Sequence, residues 1–374
     1  MNRIKRNILL NPGPATTTDS VKLAQVVPDI CPREVEFGQL MNSVSTDLTQ
    51  FVADTAEYTT VLFSGSGTSA VEAILCSSVS QEDTLFIINN GAYGERMVKI
   101  AKTYKLNYVE FTSLPYEPLD LELLERRIQN CSNKISHLAV VHHETTTGLL
   151  NNVKFIGDIC NKYDIDLIVD AMSTYAAIPI QMDEMNISYL AASSNKNLQG
   201  MAGISFVVAK VSKLEKLENA DIPSYYLNLY EQYKYFSKNN QMRFTPPVQT
   251  MYALNQAIIE LKEEGISDRY ARYTRSWDRL IRGISRLGLS YLVPEAHHSK
   301  IITAINEPDY SDYNFQNMHQ YFYKHNIMIY PGKLNEFKTF RIANIGAITY
   351  KDIDIFLELL EHYLANISLI KYEL

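Results

Sequence analysis

Residues 61–80 read Val61-Leu62-Phe63-Ser64-Gly65-Ser66-Gly67-Thr68-Ser69-Ala70-Val71-Glu72-Ala73-Ile74-Leu75-Cys76-Ser77-Ser78-Val79-Ser80. Val61–Ser64 is a short apolar run of the kind that makes a buried strand. A glycine-containing turn follows, and Thr68–Ser80 then sets Val71, Ile74, Leu75 and Val79 at helical spacing. The alternation continues downstream. Leu85–Ile88 reads as strand and Gly94–Tyr104 as helix, Tyr108–Phe111 as strand and Leu119–Ile128 as helix, His137–His142 as strand and Phe155–Tyr163 as helix. Leu167–Val169 is a further buried-type strand that ends on Asp170. Such alternation predicts an α/β fold with a mainly parallel sheet and helices on both faces. Ligands of these sheets bind at the carboxyl ends of the strands, so polar residues just past each strand carry the functional information.

Beyond about residue 250 the texture changes. Met251–Glu264 and Arg269–Leu287 are long helical runs placed back to back. After them come a strand at Ile301–Ile305, a helix at Asn314–His325, strands around Ile327–Tyr330 and Thr339–Ile342, and a last helix at Ile353–Leu364. The expectation is a large domain over residues 1–265 and a smaller C-terminal α+β domain over 266–374, with the N-terminal segment 1–20 packed on the small one. A length of 374 residues agrees with two domains at roughly 150 residues each.

The net charge of −7 argues against bulk attraction to nucleic acid or to an anionic membrane. No stretch approaches the ~20 apolar residues that span a bilayer. The basic start, MNRIKRNILLNPGP, contains only a short apolar run, too short for a signal peptide. Cys31, Cys76, Cys131 and Cys160 form no C-x-x-C pair, which points to a reduced, cytoplasmic setting. No metal site is expected. Cys/His spacing for zinc is missing, and the adjacent pairs His142–His143 and His297–His298 would point to opposite faces of a strand. The tyrosines at 225, 226, 230, 233 and 235 could suggest base stacking, but no basic stripe accompanies them. A helix at a dimer or domain interface is the plainer reading. The charged run Lys213–Glu218 reads as a solvated face.

Three features carry chemistry. Ser64–Thr68, between strand and helix, offers backbone N–H groups, a helix N-terminus and the hydroxyls of Ser66 and Thr68, which together suit a phosphate. Asp170 sets a carboxylate at the mouth of the sheet. Lys196, in Ser193-Ser194-Asn195-Lys196 and ahead of Gly200 and Gly203, follows the strand-like Tyr189–Ala192, where a surface lysine is less expected. Each alone has a bland reading: a plain turn, a cap, a solvated cation. Together they are the parts that pyridoxal phosphate requires, since its phosphate takes a helix N-terminus, its ring nitrogen a carboxylate and its aldehyde a lysine. Tyr93, in Asn90-Gly91-Ala92-Tyr93-Gly94, follows the strand Leu85–Ile88 and could stack on the ring.

Further runs make the sequence recognisable. They are Leu10–Pro14, Cys31-Pro32-Arg33-Glu34, Asn89–Met97, His143-Glu144-Thr145-Thr146-Thr147-Gly148-Leu149, Val169–Ser173, Asn195–Gly200, Arg243-Phe244-Thr245-Pro246, Ile329-Tyr330-Pro331-Gly332-Lys333 and Phe340–Gly346. With Ser64–Thr68, they resemble the class V, fold-type-I, pyridoxal-phosphate-dependent aminotransferases from about residue 9 to 347. Within that family the chain looks most like the branch that moves the amino group of 2-aminoethylphosphonate to pyruvate. The resemblance implies that Lys196 is the cofactor-bearing lysine and that Asp170 partners the ring nitrogen. It implies that Ser66, Gly67 and Thr68 hold the phosphate, Tyr93 stacks, Thr145 lies near the phenolic oxygen and Asn195 joins the cofactor site. The segment matching Thr245 reaches the phosphate across a dimer interface in such enzymes, so a homodimer is implied. Arg341 would bind the acidic end of the aminophosphonate or of the 2-oxo acid, with Arg33 and Arg96 as further phosphonate contacts.

Two departures from the family stand out. Ser-Ser-Asn-Lys-Asn replaces the usual Ser-Ala-Asn-Lys-Cys at Ser193–Asn197, and Thr174 follows Ser173 where a second serine is common. Other readings share the cofactor residues. They are a serine- or alanine–glyoxylate aminotransferase, and a same-fold lyase such as a cysteine desulfurase, which needs a mobile cysteine near the cofactor. A binding protein on an old enzyme scaffold is the third.

Overall fold

The computed structural model describes residues 4–332 and 337–369. Lys333, at the end of the Ile329–Lys333 run, and Met1–Arg3 of the N-terminal segment lie outside the described residues. The centre is a seven-stranded sheet of β1 (Tyr58–Ser64), β2 (Leu85–Asn89), β3 (Tyr108–Thr112), β4 (His137–Val141), β5 (Asp166–Asp170), β6 (Ile187–Ser193) and β7 (Ile204–Lys210). The spatial order is β1-β7-β6-β5-β4-β2-β3. β7 runs antiparallel to both neighbours, and the other pairings of this sheet are parallel.

Side chains alternate along each strand into two separate cores. Leu62, Phe86, Leu138, Leu167 and Leu190 enter one; Val61, Phe63, Ile87, Ala139 and Ile168 enter the other. A strand buried on both faces reads as an unbroken apolar run, which is the physical basis of the alternation seen in the sequence. The covering helices are α1 (Val35–Gln50), α2 (Gly67–Ser78), α3 (Ala92–Thr103), α4 (Leu121–Gln129), α5 (Val153–Lys162), α6 (Leu229–Asn239) and α7 (Val248–Glu264). Of these, α1, α4, α5 and α7 close the first core, and α2, α3 and α6 the second. Gly157 lets α5 approach closely, because a Cβ there would run into the Met185 carbonyl oxygen.

After α7, α8 (Ile266–Arg286), α9 (Phe315–Lys324) and α10 (Tyr350–Leu369) pack with an antiparallel sheet of order β8-β10-β9, made by β8 (Ile302–Asn306), β9 (Tyr330–Pro331) and β10 (Thr339–Ala343). Leu280, Ile284, Phe322, Phe340, Ile342 and Phe356 form its core together with Ile8 and Leu10 of the N-terminal segment. Burying each such side chain contributes about 1.5–3 kcal/mol. The Ile8–Leu9 strand pairs in parallel with Ile327–Met328, Ala343 N–H donates to the Leu10 carbonyl at 2.9 Å, and Arg6 pairs with Asp352 at 2.5 Å. These bonds deliver Pro12 and Gly13 to Lys196.

Three elements differ from expectation. The strand expected around Ile327–Tyr330 is two: Ile327–Met328 joins the N-terminal strand, while Tyr330–Pro331 turns to β10, with Ile329 buried between them. Helix α1 is additional, although Phe37, Met41, Val44 and Leu48 recur at helical spacing and are fully buried. β7 is also additional; it inserts antiparallel between β1 and β6, a position strand–helix alternation does not reveal. The tyrosine-rich stretch divides as well. Tyr230 and Tyr233 lie on α6 and pack on the second core, while Tyr225 and Tyr226 precede the helix and are exposed. In the run Lys213–Glu218, Glu215, Lys216 and Glu218 are exposed, whereas Leu214 is buried and Lys213 pairs with Asp166 at 2.5 Å. No helix of the described residues is long and apolar enough to cross a membrane. Among the described residues no group of three or more His, Cys, Asp or Glu could hold a metal ion.

Candidate active site

Two chambers meet at the carboxyl edge of the large sheet, and Tyr93 and Lys196 line both. The inner one, of about 570 Å³, lies over the ends of β1, β4, β5 and β6. Gly65–Thr68 form its floor where β1 hands over to α2. Ser66 is the N-cap of α2, and its hydroxyl makes no capping bond. The hydroxyl and the N–H groups of Gly67 and Thr68 are therefore available to an anion at the positive end of the helix, while the Ser69 N–H donates to the Ser66 carbonyl at 2.9 Å. Thr68 Oγ1 accepts from Arg96 Nη1 at 3.2 Å, and the Arg96 guanidinium lies over the Tyr93 ring, 4.6 Å from its centroid.

Asp170 ends β5, and one carboxylate oxygen accepts the Met172 N–H at 2.9 Å. Burial pushes its pKa up to about 6, against the downward pull of that N–H and of Arg96 and Lys196. Lys196 follows β6, and its ammonium donates to the Pro12 carbonyl. Burial pulls its pKa down to about 8; Asp170 acts upward, Arg341 and Arg96 downward. Gly13 holds φ +144°, and a Cβ there would collide with the Lys196 side chain, so the close pass of the N-terminal segment requires glycine.

His143 and Thr145 also face the inner chamber. His143 Nδ1 bonds Ser173 Oγ at 2.9 Å, and burial holds the imidazole well below its ordinary pKa, hence neutral. His143 Nε2 and Thr145 Oγ1 are buried without a hydrogen-bond partner. Glu144, between them, is buried. Its carboxylate accepts from Tyr93 N–H at 3.3 Å, Thr146 N–H at 3.0 Å and Thr146 Oγ1 at 2.6 Å, and so ties the first turn of α3 to this loop.

The outer chamber, of about 560 Å³, is walled by Pro12 and Gly13, by β9 and α9, and by Arg341 of β10. Arg341 is 6% exposed; Nε donates to the Pro331 carbonyl at 3.0 Å and Nη1 to the Thr145 carbonyl at 3.4 Å. Both of these partners are carbonyls rather than carboxylates; burial holds its pKa below the ordinary value, while Tyr93, Glu144 and Tyr330 act upward.

The structure thus brings Ser66, Gly67, Thr68, Tyr93, Arg96, Thr145, Asp170, Asn195 and Lys196 to the inner chamber and Arg341 to the outer. Asn195 Oδ1 accepts from Ser193 Oγ at 3.0 Å. Two expected residues stand apart within the chain. Arg33 donates to the Met242 carbonyl at 2.7 Å and lines neither chamber. Thr245 is exposed, with its carbonyl 3.4 Å from Ser64 Oγ. Both lie along the segment 241–245, beyond the edge strand β1, so this chain alone does not turn them into its cavity. His143, Glu144, Pro12 and Gly13 carry no role that the sequence reveals. They sit in the family-like runs, but only folding brings them beside Lys196. The departure Asn197 is fully buried and donates to the Ser173 carbonyl at 2.9 Å, so it helps fix the strand end that carries Asp170. None of the four cysteines lines either chamber; burial pushes the Cys76 thiol up to about 11 and the Cys160 thiol up to about 12.

The family model "Aminotransferase class-V" matches residues 22–336. A relative named 2-aminoethylphosphonate–pyruvate transaminase, from Lysinibacillus sphaericus (strain C3-41), is 37% identical over 358 residues, 95% of this chain and 97% of the relative. A bifunctional phosphonoacetaldehyde hydrolase/aminoethylphosphonate transaminase from Clostridioides difficile (strain 630) is 37% identical over 360 residues. That match takes in 96% of this chain, which spans 56% of that longer relative. The solved alanine–glyoxylate aminotransferase of Nostoc sp. superposes with a TM-score of 0.90 at 24% identity, covering 97% of this chain and 96% of that one, a likeness of fold. Matched by the family model over residues 22–336 and by a 37% identical relative over 95% of its length, the chain belongs to the class-V aminotransferase family.

Proposed function

We propose that the chain is a pyridoxal 5′-phosphate-dependent transaminase that transfers the amino group of 2-aminoethylphosphonate to pyruvate, giving phosphonoacetaldehyde and L-alanine. The observation that carries this reading is the junction of the two chambers at Lys196 and Tyr93: an anion cup, a carboxylate and an aromatic ring on one side, and a buried guanidinium on the other. The inner chamber fits the cofactor's needs. Ser66, Gly67 and Thr68, with Arg96 beside them, would hold the phosphate, and Asp170 the ring nitrogen. Thr145 Oγ1 and His143 Nε2, buried without partners, are polar atoms that a polar ring substituent would satisfy. Tyr93 would stack, worth on the order of 1 kcal/mol beyond area burial.

Bound pyridoxal phosphate supplies an aldehyde that condenses with amines and a ring that takes up the electron pair left when a C–H bond breaks. The protein's part is proton handling and positioning. Lys196, neutral above pH 8 or so, can accept a proton from the amine-bearing carbon of the donor and give it back on the product side. Asp170 holds positive charge on the ring nitrogen. The reacting carbon of 2-aminoethylphosphonate bears no carboxylate, so C–H cleavage is the available route. Arg341 would anchor the phosphonate of the donor and the carboxylate of pyruvate in turn, since a guanidinium fork accommodates both. Arg96, held on Thr68 and over Tyr93, suits the cofactor phosphate better than the substrate. No cysteine faces the chambers, which disfavours the desulfurase reading.

We further infer a homodimer acting in the cytoplasm, with large and small domains dividing between residues 265 and 266. The exposure of Thr245 supports the dimer, because the family pattern has this segment serving a neighbouring copy.

An end-point assay tests the function. Purified protein with pyridoxal phosphate, 2-aminoethylphosphonate and pyruvate is expected to form alanine and phosphonoacetaldehyde in equal amounts. A protein that retains the cofactor yet makes no alanine would reject the substrate, and glyoxylate with serine or alanine would be tried next. The lysine makes a second, pH-dependent prediction. Only the neutral amine attacks an aldehyde, so covalent uptake of pyridoxal phosphate by cofactor-free protein should rise about tenfold per pH unit and level off above about 8. Stopped-flow absorbance would follow it. A rate still climbing tenfold per unit at pH 10 would mean an ordinary, solvated lysine.

A further inference from the structure

A guanidinium fork presents parallel N–H groups in one plane, which match the two oxygens of a carboxylate. A phosphonate is tetrahedral and carries a third oxygen outside that plane. If Arg341 holds either group, the phosphonate alone needs one more donor from the outer chamber. The strand register shows where it comes from. β9 and β10 are antiparallel, and Tyr330 lies directly opposite Arg341. Residues opposed in this way send their side chains to the same face, with Cβ atoms about 4.5–5.5 Å apart. Both line the outer chamber, together with Lys196. The guanidinium is also drawn toward this strand, since Nε donates to the carbonyl of Pro331, the next residue after Tyr330. Two other side chains with donors at this wall, Gln316 and His319, come from α9 rather than from the strand beside Arg341. Tyr93 is at the junction with the inner chamber.

We propose that the Tyr330 hydroxyl donates to the third oxygen of a phosphonate held by Arg341, and that it is the residue by which the site favours phosphonate over carboxylate. The inference rests on the proposed use of an aminophosphonate donor. A phenol suits this role because it supplies a donor from a direction that the planar fork does not cover. It asks nothing of a carboxylate, whose two oxygens the fork has satisfied.

The test is Tyr330→Phe, which removes one hydroxyl from a side chain 39% exposed and leaves the packing ring in place. Wild type and variant, both loaded with pyridoxal phosphate, are titrated calorimetrically with ethylphosphonate and with propanoate. These inert anions share the same two-carbon chain. A hydrogen bond to a charged acceptor leads us to expect roughly ten- to a hundredfold weaker ethylphosphonate binding in the variant. Propanoate binding should change less than twofold, and the KM for 2-aminoethylphosphonate should rise while that for pyruvate does not. Equal weakening of both anions, or of neither, in a wild type that binds ethylphosphonate would overturn the role of Tyr330 and leave the substrate reading standing. A wild type that neither binds ethylphosphonate nor turns over 2-aminoethylphosphonate would overturn the substrate reading itself, and the inference with it.

Discussion

Lys196→Ala is expected to lower the rate of alanine formation by roughly ten-thousand-fold or more, the full range that a positioned proton-transfer group supplies. The lysine has two roles in the proposed reaction, and alanine can perform neither. Among the described residues it is the one primary amine lining the inner chamber, and its position after β6 puts it at the junction of the two chambers. The fold should survive the change, because the Lys196 ammonium contacts Pro12 and open chamber rather than a packed core. Losing the lysine charge lets burial raise the Asp170 pKa further above about 6, so the carboxyl can protonate rather than stand as an unpaired charge, with Arg96 still beside it. The measurement has two readouts. Borohydride reduction and mass spectrometry should find cofactor attached to the peptide carrying Lys196 in wild type and none in the variant. Single-turnover kinetics should show the lost step. A variant that still makes alanine within tenfold of wild type would remove Lys196 from the chemistry.

Asp170→Asn is expected to cost roughly a hundred- to a thousandfold in kcat, the range seen when a fixed electrostatic partner of a transition state is removed. An amide cannot hold positive charge on a ring nitrogen as a carboxylate does. The same substitution should act on Lys196 in a definite direction. The Asp170 charge pushes the lysine pKa upward, against burial, so its loss lets burial and the two arginines pull the lysine further below 8. The pH at which cofactor uptake levels off should therefore move down in Asp170→Asn, while the plateau rate itself is retained. A lower kcat with no movement of that profile would mean that Asp170 and Lys196 do not sense each other.

The strands of the large sheet were legible because they are buried on both faces: Leu167, Ile168 and Val169 show no polar face, and the chain must end such a run before it can present Asp170. The turn at the start of α2 was legible for a similar reason, since Gly65 and Gly67 interrupt an apolar run immediately before a helix. Local pattern failed where an element depends on a distant partner. β7 has ordinary apolar character, but its antiparallel place between β1 and β6 comes from the ladder and not from its own residues. Tyr330 and Ile327 belong to different sheets for the same reason. Asn197 is a neutral departure by residue type alone, yet in the fold its amide braces the Ser173 carbonyl.

The sequence alone determined the fold class and pointed to Lys196, Asp170 and Tyr93 as candidates, because strand burial, a helix N-terminus and residue type are short-range features and the motif runs around them resemble one family. Tertiary structure alone decided how these groups behave. The depressed pKa of Lys196 arises from burial beneath a segment 184 residues away in the chain, and it is the Pro12 carbonyl that meets the ammonium. Arg341 is not a surface ion pair, because β10 buries it against the Pro331 and Thr145 carbonyls. Arg33 and Thr245 were placed outside the chain's own cavity. Electrostatics and desolvation depend on three-dimensional neighbours, and those neighbours are set by packing, not by spacing along the chain.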